Sequence, residues 1–140
     1  MSSKRVELIR SYATKIKYYR LLGIELEGME EGRARLKVPF REELTHPLGA
    51  VQGGVLCTLA DGAMALACLS LLGDDQAVAT VELKLNFIAP FTEGTLVAEG
   101  RVVHLGSRTI VAEAELHVGE RLMAKALATF IINALPEGLP

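Results

Sequence analysis

The sequence predicts an α+β protein in which one long antiparallel sheet curls around a central apolar helix. Three observations carry that reading. Residues 55–72 form an apolar run of helical length whose only charge is Asp61. After it come four strand-like segments of about ten residues or more, separated by turn residues. Before it stand a shorter hairpin and an amphipathic N-terminal helix. A helix apolar on every side must be covered on every side. Two helices laid on an open sheet would not do that, whereas a sheet wrapped around one helix, closed by a second subunit, would.

In chain order, residues 4–22 set Val6, Ile9, Tyr12, Ile16, Tyr19 and Leu22 three or four apart, which is one face of a helix. Lys4, Arg5, Arg10, Lys15, Lys17 and Arg20 occupy the other face, read as solvated, with contact to an anionic ligand as the alternative. Gly23 supplies the stop. Residues 24–29 and 33–39 alternate about Glu30-Glu31-Gly32 as a hairpin. Residues 40–54, FREELTHPLGAVQGG, are turn-rich and read as irregular. The apolar helix then runs to about Leu72, before Gly73-Asp74-Asp75. Strands are expected at 77–89, 95–105, 109–118 and 121–132, and Pro136 and Pro140 mark a short tail. No repeat, linker or low-complexity stretch intervenes, so residues 1–140 read as a single domain.

Composition removes several classes of function. At 140 residues, 50% hydrophobic and 23% charged, the chain can bury a core without metals or cross-links. A net charge of −2 gives no electrostatic reason to bind nucleic acid. Cys57 and Cys68 lie on one helical run, about 16 Å apart along its axis, and a disulfide needs Cα atoms within about 7 Å. Reduced thiols and a cytoplasmic location are therefore expected. The N-terminal MSSKRVELIRSY has no apolar signal segment. A carboxylate at the centre of a membrane span would cost roughly 2.5–3.5 kcal/mol, so the run 55–72 reads as a buried helix and no membrane partner is expected.

The chemistry concentrates around that helix. Gly53 and Gly54 open it, leaving backbone N–H groups bare at the positive end of the helix dipole, where an oxyanion formed in acyl transfer can be held. The alternative is a tight loop-to-helix turn and nothing more. Asp61, alone among apolar residues, is costly to bury idle. It serves either catalysis or an ion pair, with Lys84 or Arg108 as candidates. Gly53 and Asp61 are separated by about 12 Å of helix, too far for a base that must reach about 3 Å. Two such helices antiparallel across a two-fold axis would bring each Asp61 to the other chain's Gly53. The site should be shared.

The segments HPLGAVQGGVLCTLADGAMALAC, VATVELKLNFIAPFTEG and VVHLGSRTIVAEAEL resemble the acyl-CoA thioesterases of the hotdog superfamily, in the phenylacetate-pathway branch. The resemblance covers about residues 20–133 and implies a hotdog fold, hydrolysis of acyl-CoA, and a homodimer or a dimer of dimers; no His/Cys/Asp cluster has metal-ligand spacing, and no cofactor is expected. It maps the carbonyl-binding N–H to Gly53, the acid to Asp61, and a hydroxyl that helps hold water to Thr80. The family's N-x-x-G-x-x-H-G-G is altered here, with His46 in place of the Asn and Gln52 in place of the His. Gln52 retains a donor and an acceptor. His46 either partners the attacking water, titrates near neutrality, or arranges Pro47. Gly54, Ser107 and Arg108 are expected substrate contacts, Arg108 toward phosphate or else as a solvated turn residue. His104 and His117 read as structural, and Cys57 as packing. A non-catalytic acyl-CoA-binding protein and a hotdog hydratase or dehydratase are the alternatives to a hydrolase.

Overall fold

The structure, a computed structural model, describes residues 2–136. Two N-terminal helices, α1 (Ser3–Lys15) and α2 (Lys17–Leu22), lead into a hairpin of β1 (Glu25–Glu30) and β2 (Arg33–Pro39). A 3-10 turn at Glu42–Leu44 precedes α3 (Gly53–Leu69), and β3 (Gln76–Phe87), β4 (Thr95–Leu105), β5 (Thr109–Val118) and β6 (Arg121–Ala134) follow. Every strand pair is antiparallel, in the order β1-β2-β4-β5-β6-β3. The strands flanking α3 in sequence, β2 and β3, thus lie toward opposite edges of one sheet. The helix that joins them has to cross its concave face, packing on β2, β3, β4 and β5.

A row of small residues makes that crossing close. Ala34 pairs with Gly100, Gly100 with Ala114, and Ala114 with Ala126, so four adjacent strands present almost no side chain along one line. The backbone of α3 lies in this trough, and larger residues such as Leu36, Leu116 and Phe130 rise beside it, fully buried. A methyl group at Gly100 would collide with the Ala63 carbonyl and come within 2.6 Å of the Met64 nitrogen. Because that obstacle is backbone, the helix as a whole would have to lift off the sheet. Gly100→Ala is accordingly expected to cost about 1–3 kcal/mol, the usual range for overpacking a close-packed core, read as a lower urea midpoint. An unchanged midpoint would mean that the trough is not under compression.

Three expectations are corrected. The N-terminal helix is two pieces, since Ile16 at φ −73 and ψ 103 is extended. The break is held by Arg20 Nε, which donates to the Thr14 carbonyl at 2.9 Å, and Gly23 then ends α2 in the left-handed conformation at φ 80. Freed from the axis of α1, α2 turns onto α3. Arg5, expected on the solvated face, is only 7% exposed. Its guanidinium donates to the Leu69 carbonyl at 2.8 Å and pairs with Asp74 at 3.4 Å, so a cation meets the negative end of α3. The third concerns the end of α3, which lies at Leu69 rather than near Leu72. Ser70 closes it by donating to the Ala67 carbonyl and accepting the Gly32 N–H.

The strand expectations hold closely, with β4 and β5 beginning and ending where the turn residues predicted. Of the two proline tail markers, Pro136 lies at the end of the described chain and Pro140 outside it. Among the described residues no helix is long and apolar enough to cross a membrane.

Candidate active site

The start of α3 is held by two loops that bind each other. In the first, Thr45 bridges to Val51, and the His46 N–H donates to the Ala50 carbonyl. The Val51 N–H donates to the Phe91 carbonyl at 2.9 Å, which ties in the loop between β3 and β4. Phe91 is buried and meets Phe40 edge-on, centroids 5.9 Å apart. Gln52 occupies the N-cap, where Ser, Thr, Asp or Asn would bond the exposed N–H groups. Its side chain makes no capping bond. Among the described residues the N–H groups of Gly53 and Gly54 therefore have no acceptor. They face outward at the positive end of the helix.

A cleft of about 410 Å³ opens there, with Gly53, His46, Leu56, Phe87, Ile88 and Phe91 among its walls. The Phe87 ring lies over Gly53 so closely that a Cβ would come within 2.9 Å of it, while a Cβ at Gly54 would point into open space. Glycine at 53 keeps the helix start clear of the Phe87 ring and its N–H bare of a side chain. His46 lines the same cleft and accepts the Leu48 N–H on Nδ1 at 3.1 Å. That bond arranges the turn around Pro47 and leaves the neutral ring with its proton on Nε2.

Asp61 stands elsewhere on the helix. Expected to be buried, it is half-buried, on the stripe of α3 that the sheet leaves open together with Gly54, Cys57, Thr58, Ala65 and Leu69. The Thr80 hydroxyl donates to Asp61 Oδ1 at 2.6 Å, bringing together two residues that are nineteen apart in sequence. Thr80 is aimed by a bulge in β3 between Thr80 and Glu82. Among the described residues Asp61 makes no ion pair, with Lys84, Arg108 or any other cation. Cys57, expected to be packing alone, shares the stripe. Burial and then the charge of Asp61 push its thiol pKa up, so it stays protonated and is a poor nucleophile.

Within one chain the two groups of candidate residues stand apart. The cleft with Gly53 and His46 lies by Phe87, the last residue of β3, whereas Asp61 lies further along α3 and Thr80 nearer the start of β3. Ser107 and Arg108 are exposed in the turn between β4 and β5, where the Arg108 carbonyl accepts the N–H of Ile132, the partner of Val78. That is the end of the sheet away from Phe87, so they do not meet Gly53 of their own chain. His104 and His117 lie on strands, His117 3.8 Å from Glu115. Sequence reasoning missed Phe87, which shapes the cleft, and Tyr19, which α2 brings against Gly62 next to Asp61; neither has a local signal, because each acts through a tertiary contact.

Residues 48–125, more than half of the chain, match the family model of the thioesterase superfamily. An esterase-named protein of Saccharolobus solfataricus is 34% identical over 130 residues, covering 92% of this chain and 91% of its own. The 1,4-dihydroxy-2-naphthoyl-CoA hydrolase of Listeria monocytogenes is 28% identical over 95 residues, 68% of this chain and 77% of that protein. Among solved structures, the Escherichia coli PaaI protein of the phenylacetic acid degradation operon superposes with a TM-score of 0.85 at 25% identity, over 96% of each chain.

Proposed function

The chain belongs to the thioesterase superfamily and has its hotdog fold, and on that premise we propose that it hydrolyses acyl-CoA thioesters to the free acid and CoA at two equivalent sites shared across a homodimer. The observation that carries the reading is the separation of the half-sites. A bare helix start beside an apolar cleft suits a carbonyl oxygen, and a threonine-bonded carboxylate suits a water, yet about 12 Å of helix lies between them. An isologous contact along the open stripe of α3 would close that distance, each Asp61 meeting the partner's Gly53. The free edge of β3, with Val81 and Phe87 exposed on the strand and Ile88 just after it, supports such a contact. Exposed Leu127 and Ile131 on β6 suit further pairing of dimers.

In this reading the thioester carbonyl accepts the Gly53 N–H, with Gly54 beside it, and His46 Nε2–H lies within the same cleft as a further donor. Asp61 takes a proton from water, whose oxygen attacks the carbonyl carbon. The tetrahedral oxyanion is held by the helix start. As it collapses the C–S bond breaks, and the proton on Asp61 passes to the leaving thiolate. Direct attack by Asp61 is the other route open to the same residue. Ser107 and Arg108 meet the CoA moiety, Arg108 as a phosphate partner. The unpaired thiols of Cys57 and Cys68 suit a reducing cytoplasm.

A panel of aromatic and aliphatic acyl-CoAs, with released CoA read by a thiol reagent, tests the proposal. Turnover of at least one is expected. Binding of acyl-CoA without release of thiol would make the protein a sensor, and addition of water across an enoyl-CoA would make it a hydratase.

A further inference from the structure

We propose that Tyr19 completes the hydrolytic site, its hydroxyl holding the attacking water against Asp61; this rests on the thioester-hydrolysis reading. The break at Ile16 lets α2 fold over α3, and Tyr19 reaches down to the residue next to Asp61. The phenol oxygen occupies the place where a side chain at position 62 would begin, beside Leu36 Cδ1, which would itself lie 2.8 Å from a Cβ there. Gly62 is thus glycine to admit this hydroxyl. The neighbouring Tyr18 has a partner, Thr58 Oγ1 at 3.2 Å, whereas among the described residues the Tyr19 hydroxyl has none.

The Tyr19 hydroxyl is not among the sealed polar atoms, so solvent reaches it and a water is its natural partner. The groups around Asp61 are Thr80 from β3, Cys57 from α3 and Tyr19 from α2. Thr80 fills Oδ1 and leaves Oδ2 open. Burial first, then the negative charge of Asp61 and the nearby Tyr12, push the Tyr19 pKa well up, so the hydroxyl remains a donor through the whole working range of pH. A water that donates one hydrogen to Asp61 Oδ2 and accepts the Tyr19 O–H keeps a second lone pair free to meet the carbonyl carbon. Two fixed partners orient it, whereas Asp61 alone would let it swing.

Tyr19→Phe keeps the ring packing and removes only the oxygen. About a tenfold loss of kcat is expected, with KM and the thermal midpoint unchanged. Wild-type kcat in the Phe variant, or a loss that falls on KM or on the thermal midpoint instead, overturns the assignment. A wild-type protein that turns over no acyl-CoA would instead overturn the reading on which it rests.

Discussion

Asp61→Asn is expected to lower kcat on acyl-CoA by about 10²–10⁴-fold, the loss that follows removal of a positioned acid–base group, while the thermal midpoint and the affinity for CoA stay as they are. The separation of effects follows from the environment of the residue. Among the described residues its one side-chain hydrogen bond is accepted from Thr80, and the amide oxygen of Asn accepts the same bond at the same place. Asp61 holds no ion pair among the described residues, so nothing charged is orphaned when the carboxylate goes. An amide, however, neither takes a proton from water nor attacks a thioester. Rates at saturating substrate, beside thermal unfolding and calorimetric CoA binding, check this, and an Asn variant with near-wild-type kcat removes Asp61 from the chemistry. A variant that unfolds would show that the carboxylate is structural.

The same environment shows what was legible beforehand. β4 and β5 could be bounded from sequence because Gly94, Gly106-Ser107 and Gly119 bracket them with turn chemistry. The apolar character of α3 likewise announced a wrapped sheet. The break at Ile16 has neither Gly nor Pro to betray it, since it is fixed by Arg20 reaching back to Thr14. Arg5 falls at a polar position of its helix and is buried only because the end of α3 arrives there. Asp61 stood out by isolation and Gly53-Gly54 by backbone logic, but Thr80 came only through family resemblance. Nothing local ties Thr80 to Asp61; the 2.6 Å bond exists because β3 carries a bulge beside it. Tyr19 and Phe87 were out of reach for the same reason, their partners being Gly62 and Gly53, residues defined by the side chain they lack.

Two inactive variants should restore each other when mixed, and this bears most directly on the shared site. Gly53→Val puts a branched side chain where the Phe87 ring already leaves no room for a Cβ, obstructing the helix start, and should be as inactive as Asp61→Asn. If each site takes Asp61 from one chain and Gly53 from the other, a mixed dimer has one site carrying both lesions and one carrying neither. Random exchange of equal amounts makes half of the dimers mixed, so about a quarter of wild-type activity should return. Dissociating and reassociating the two proteins together, with each treated alone as control, gives the measurement. A site built within a single chain predicts no recovery at any mixing ratio, because every chain would carry a lesion in its own site. Recovery near a quarter would place the carboxylate and the helix start on different chains, the one arrangement that reconciles a 12 Å gap along the helix (roughly, from its rise per residue) with chemistry at hydrogen-bond range.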